Sequence, residues 1–143
     1  MPVEIKNKQG KVLKVIKNKN NLKDAYLDCT HLRGADFRDA NLSDADFSNS
    51  DLRDADFTGA NLCGVDLTNA ILKGADFKGA DLRGANLVRA DLRDANLSDA
   101  DLRHTKLEYT DLTNANLEGA DFTYAKYKNI IGAKILGNFK VPE

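Results

Sequence analysis

The 143-residue chain has no tryptophan, two cysteines and two histidines, and no apolar run approaches the ~18 residues of a membrane-spanning helix. Each shortage removes a class of function. Without a long apolar run no transmembrane helix is expected. No basic segment followed by an apolar stretch opens the chain, so nothing marks secretion and a cytoplasmic location is expected. Cys29 and Cys63 fall at outward positions about one and a half turns apart in a twenty-residue coil, so reduced thiols are expected rather than a disulfide. His31 and His104 are far apart, and neither has a nucleophile with an orienting acid in sequence, so triad chemistry lacks its parts. There is no Gly-rich phosphate loop and no metal-ligand spacing. Asp44-Ala45-Asp46 opens like a calcium loop but lacks the spaced Gly and the closing Glu. The expectation is a non-enzymatic protein with no cofactor and no metal.

Charge is abundant and unevenly placed. The chain holds 21 Lys and Arg against 22 Asp and Glu. Residues 1–20 carry six Lys and one Glu, about +5. The remaining 15 basic and 21 acidic residues leave the body near −6. Residues 3–16 read as two short strands around the turn Asn7-Lys8-Gln9-Gly10, with Val3 and Ile5 alternating against Glu4 and Lys6. This segment has no Arg and no aromatic residue to stack on bases, which disfavours a nucleic-acid arm. A hairpin covering the open N-terminal end of the body is the expected role.

From Leu22 to Phe122 an apolar residue recurs at every fifth position, in 21 consecutive units each centred on Leu or Phe. With the central residue called i, position i−2 is mostly Ala, i−1 mostly Asp or Asn, and i+2 mostly Gly, Asp or Asn. A period of five fits neither a helix (3.6) nor a flat strand (2). It fits a short extended segment that bends and runs again, with i−2 and i inward and i−1, i+1 and i+2 facing water. Seven of the ten glycines (Gly34, Gly59, Gly64, Gly74, Gly79, Gly84 and Gly119) stand at i+2, which places the corner turn there. Phe37, Phe57 and Phe77 recur at 20 residues, as do Arg33, Arg53, Lys73 and Arg93. Twenty residues is four units, hence a four-sided coil. About five coils at the ~4.8 Å strand spacing make a rod roughly 25 Å long.

Units such as Ala35-Asp36-Phe37-Arg38-Asp39 and Ala40-Asn41-Leu42-Ser43-Asp44 resemble the A-(D/N)-L-x-x unit of the pentapeptide-repeat family, over roughly residues 20–127. The resemblance implies an all-β chain folded as a right-handed quadrilateral parallel β-helix. It implies a bacterial, especially cyanobacterial, relationship and mostly unknown function. Family members of the quinolone-resistance type resemble DNA in shape and charge and bind DNA gyrase; others are implicated in protein-protein contacts. The expected organisation is an N-terminal β-hairpin cap over 1–19, the β-helix over 20–127 and a short C-terminal cap over 128–143. Ile130-Ile131-Gly132 reads as a three-residue insertion before a last unit, Ala133 to Gly137, with Phe139 and Val141 folding over the final coil. That end either caps the rod or forms a dimer contact.

Function must sit where the repeat is broken or its columns align. Arg33, Arg53, Lys73 and Arg93 would form a basic stripe, flanked by Asp51, Asp54, Asp91 and Asp94, which would neutralise it. Asp36, Asp56 and Asp76 on one face, and Asp81, Asp101 and Asp121 on another, would form acidic ladders able to mimic phosphates or simply to hydrogen-bond the corner backbone. The stretch Arg103 to Thr110 departs most from the rule, with His104 and Tyr109 at i+2, Thr105 and Thr110 at i−2, and Lys106 at i−1. One coil away, Arg89 would stack on Tyr109 and Tyr124 on His104. Two alternatives stand, an interface or an adaptation to the C-terminal cap; Tyr26, Cys29, Thr30 and His31 make a similar break at the other end. The expected function is a rigid scaffold that binds a protein partner through Arg89, His104, Lys106, Tyr109 and Tyr124, as a monomer or as a homodimer joined at a rod end. The alternative is a DNA-mimicking protein that binds DNA gyrase.

Overall fold

A computed structural model describes residues 2–16 and 21–132. Val3–Lys6 (β1) and Val12–Ile16 (β2) pair antiparallel, with Val3 opposite Ile16 and Ile5 opposite Lys14. Asn7 builds the turn between them: its side-chain oxygen accepts the amides of Gln9 and Lys11 at 3.1 and 2.9 Å. Gly10 closes the turn at φ +80°, where a side chain would be strained. Ile5 points into the core at 2 % exposure, while Glu4 and Lys6 stay outside and pair at 2.9 Å.

From Leu22 onward one local geometry repeats. The amide at i+3 bonds the carbonyl of i, as Ala40 does to Phe37 at 3.1 Å. The residue at i+2 has positive φ in every unit from Asp24 to Asn129. A 4→1 bond with positive φ at the third residue is a type II turn. Four such turns bring the chain back over itself. Parallel bridges then join each i−1 residue to the one 20 positions on, as in Asp36 to Asp56 to Asp76 to Asn96. Between coils the Leu72 amide bonds the Asp91 carbonyl at 2.8 Å, and the Gly74 amide the Arg93 carbonyl at 2.9 Å. The coils thus satisfy one another's backbone, as burial demands.

The inward columns make one continuous core. Every Leu or Phe at i from Leu27 to Leu112 is at most 1 % exposed, each contributing ~1.5–3 kcal/mol through burial. Phe37, Phe57 and Phe77 stack along one side with centroids 5.1 and 4.8 Å apart, and Phe47 meets Phe37 edge-on at 5.6 Å. Where a hydroxyl replaces the inward Ala, it finds a carbonyl. Thr30 and Ser50 both donate to the Leu27 carbonyl at 2.6 and 2.7 Å. Thr105 donates to Leu102 and Thr110 to Leu87, at 2.7 and 2.8 Å. The inward half of the 103–110 irregularity is therefore ordinary packing.

The hairpin lies against the first coils through the Asp36 amide, which donates to the Lys6 carbonyl at 2.8 Å, and through an Asn7–Ala35 bridge. At the other end the structure corrects the reading of Ile130 to Gly132 as an insertion. The frame continues: Ile130 packs against the core at i−2, and Ile131 bridges Asp111 at i−1, its amide bonding Thr110 and its carbonyl Leu112. Only side-chain chemistry changes there, and Ile71 shows that an i−1 position accepts Ile. Gly132 stands where an inward Leu would, and it is exposed. The expected unit Ala133 to Gly137, with Phe139 and Val141, lies outside the described residues. Among the described residues no helix is long and apolar enough to cross a membrane.

Candidate functional site: a basic and aromatic face

Most of the surface charge is consumed locally. An Asp at i−1 turns its Oδ1 to the amide of i+1, as Asp56 does to Thr58 at 2.9 Å, so the acidic ladders serve the corner backbone. Where i+1 is Arg, the guanidinium closes on the same carboxylate as a two-pronged fork. Arg53 meets Asp51 at 2.8 and 2.6 Å, and Arg83 meets Asp81 and Arg93 meets Asp91 in the same way. The guanidinium in each fork holds the carboxyl of Asp51, Asp81 and Asp91 below the usual range. Arg33 crosses to Asp54 at 3.0 Å and Lys73 approaches Asp94 at 3.9 Å. The column Arg33, Arg53, Lys73, Arg93 is thus neutralised along its length.

One side of the rod differs. His104 turns the corner onto it, Thr105 and Leu107 point inward, Lys106 points outward, Glu108 is half-buried, and Tyr109 turns the corner off it. The stacking of coils puts Tyr124 over His104, with ring centroids 5.0 Å apart and planes at 19°. It puts the Arg89 guanidinium 5.2 Å from the Tyr109 ring centre. Lys106 lies between the two stacks, bridged to Asn86 below and Lys126 above. All five residues expected from the sequence therefore meet on one face and its two edges. Arg89 alone among the described arginines has no carboxylate partner.

Sequence reading missed Lys126 and Lys128, which stand on the same face one coil beyond Lys106 and Glu108. Lys106, Lys126 and Lys128 are exposed and form no ion pair among the described residues. For Lys126 the signal was available: a lysine stands at i−1, where most units carry Asp or Asn.

The four edge residues also sit in unfavourable backbone. Arg89, His104, Tyr109 and Tyr124 have φ of 57°, 60°, 61° and 60°. Their positions elsewhere in the chain are filled mainly by Gly, Asn and Asp, which enter this region most readily. Tyr109 and Tyr124 nonetheless remain 42 % and 71 % exposed. Large side chains are held outward there at a conformational cost. No group of three or more His, Cys, Asp or Glu among the described residues could hold a metal ion.

Comparison with known proteins places these features. The sequence profile described as pentapeptide repeats matches in 8 copies, over residues 21–54, 50–87 and 95–126. A pentapeptide repeat protein of Nostoc Pcc 7120 is 39 % identical, with 64 % of this chain and 76 % of that chain covered and a TM-score of 0.61. One from the Arabidopsis thaliana thylakoid lumen is 36 % identical, covering 62 % of each chain, also with a TM-score of 0.61. The protein Rfr23 of the cyanobacterium Cyanothece 51142 is 34 % identical, with 71 % and 66 % covered and a TM-score of 0.53. The chain spans less than two thirds of the Arabidopsis and Cyanothece proteins. Among curated proteins no significant match was found. The four-sided coil is accordingly a right-handed quadrilateral parallel β-helix, and the chain belongs to the pentapeptide-repeat family.

Proposed function

We propose that this chain is a non-enzymatic rigid scaffold that binds a protein partner through the face centred on Lys106. The observation that carries the reading is the pairing of outward aromatics with strained corners. Tyr109 and Tyr124 occupy positive-φ positions that Asn or Gly would fill at lower cost. Exposed tyrosines beside an unpaired Arg make the composition that protein interfaces favour, and the lysines around them supply a charged rim. Phosphate mimicry toward DNA gyrase has less support, because Arg83 and Arg103 hold the Asp81 and Asp101 ladder in forks.

The test is affinity capture from a lysate of the source cells, run beside a Lys106→Ala/Tyr109→Asn variant and read by mass spectrometry. A partner retained by the wild type and lost by the folded variant is expected. Equal capture by both proteins would move the contact elsewhere on the rod, and capture of gyrase subunits would favour the mimic.

A further inference from the structure

The face that carries Lys106 is basic over only half its length. Toward the N-terminal end the same columns hold Asp28, Asp44, Asp46 and Asp66, and no cation among the described residues accompanies them on that face. None of the four is in an ion pair within the described chain. Toward the C-terminal end the columns hold Arg89, Lys106, Lys126 and Lys128 against the single carboxylate of Glu108. One surface therefore carries separated charges of both signs. On the other faces most arginines pair with a carboxylate of their own rung, as Arg38 does with Asp36, Arg53 with Asp51 and Arg83 with Asp81.

We infer that this face pairs with the same face of a second copy, in a two-fold antiparallel dimer. The inference rests on the reading of the Lys106 face as a contact surface and names its partner. A two-fold axis lying in the interface and crossing the rod at right angles keeps each column on itself and reverses its order. Placed between the neighbouring rungs of Asp66 and Asn86, the axis sets Asp46 opposite Lys106 and Tyr26 opposite Lys126. In the adjoining columns it sets Asp28 opposite Lys128 and Asp44 opposite His104. Tyr26, 82 % exposed at the head of the Lys106 column, gains a cation over its ring. Every such contact occurs twice, as an isologous interface requires. A parallel arrangement would instead set Lys106 against Lys106 and Asp46 against Asp46. Charge complementarity of this kind fixes register and orientation.

The experiment is sedimentation equilibrium of the full chain at low and high salt, over a wide concentration range. At low ionic strength, where screening is weakest, the wild type is expected to approach twice the chain mass. High salt is expected to weaken association at least tenfold. Asp46→Lys and Lys106→Asp each set like charges opposite one another and are expected to be monomeric. Both residue types already stand at i−1 in this chain, so both variants are expected to fold, which circular dichroism checks. Mixing the two variants restores attraction at both contacts and is expected to give a heterodimer. The Asp46→Lys/Lys106→Asp double variant is expected to associate with itself. A wild type that stays monomeric at low salt, or variants that associate as the wild type does, would overturn the dimer. A monomer whose lysate capture still depends on Lys106 and Tyr109 would leave the binding face standing and remove only this partner.

Discussion

Lys8, in the turn of the hairpin, reaches past the first coil to Asp56 on the second, with Nζ 2.7 Å from Oδ2. The Asp56 side chain is only 8 % exposed there, against 52 % for Lys8. Burial alone would push that carboxyl up. The hydrogen bonds from Lys8 and from the Thr58 hydroxyl and amide overcome it, and the group titrates below its ordinary 3.8. A carboxyl lowered in the folded chain stabilises the fold above its unfolded value, and that contribution is lost as pH falls through the folded value. Lys8→Ala is expected to cost about 1 kcal/mol at pH 7. The difference between wild type and variant should shrink in thermal melts below about pH 4. A gap that stays constant down to about pH 2.5 would show that Lys8 acts through packing alone.

The inner columns set a harsher test. Leu72 is wholly buried between coils, so Leu72→Asp places a charge where nothing can solvate it. The variant is expected to lose its cooperative thermal transition. Phe57, stacked between Phe37 and Phe77, should be less catastrophic: Phe57→Ala is expected to cost ~3–5 kcal/mol and leave a shifted, still cooperative melt. A wild-type midpoint for Leu72→Asp would refute the inward placement of that column.

Tyr109 offers a change expected to leave stability nearly unaltered. Asn adopts positive φ more readily than Tyr, and relieving this strain is worth about 1 kcal/mol. Losing the exposed contact with Arg89 returns ~0.5–1 kcal/mol in the opposite direction. Tyr109→Asn should therefore unfold in denaturant within about 0.5 kcal/mol of the wild type, on either side. A loss beyond about 2 kcal/mol would identify the stack as a structural brace.

Arg53 shows how little an exposed fork contributes by itself. Its partner Asp51 also accepts the Arg53 amide at 3.3 Å, and that bond survives when the guanidinium is removed. Arg53→Ala should leave the thermal midpoint unchanged within error, whereas Asp51→Ala, which strips the turn of its acceptor, should lower it. The reverse order would make the basic column a structural element.

The period of five and the longer period of twenty made the coil legible in the sequence, because each inward Leu obeys one local rule. Phe37, Phe57 and Phe77 announce a column by spacing alone. His104 and Tyr109 were legible as bulky residues at a corner that elsewhere takes Gly, Asn or Asp. Lys126 was legible by the same sign as Lys106, a lysine at i−1, whereas Lys128 was not, since an exposed lysine at i+1 looks ordinary until its coil is aligned with the one below. Ile130 and Ile131 misled for a related reason: they break the grammar of Ala and Asp while keeping the geometry those residues serve. Glu108 carries a further point that no spacing reveals, for its Oε2 is buried without a hydrogen-bond partner among the described residues.

The phenylalanine column occupies only the early coils, with Phe37, Phe57 and Phe77 stacked at 5.1 and 4.8 Å, and Leu97 and Leu117 continue the same column beyond it. In a stack held by nearest neighbours, resistance to unwinding follows the strength of each coil junction. The rod is therefore a directional spring. Pulled from both ends, it is expected to part at the junctions around Leu97 and Leu117 before those around Phe57, so tension would separate the rungs of the Lys106 face before those of the phenylalanine coils.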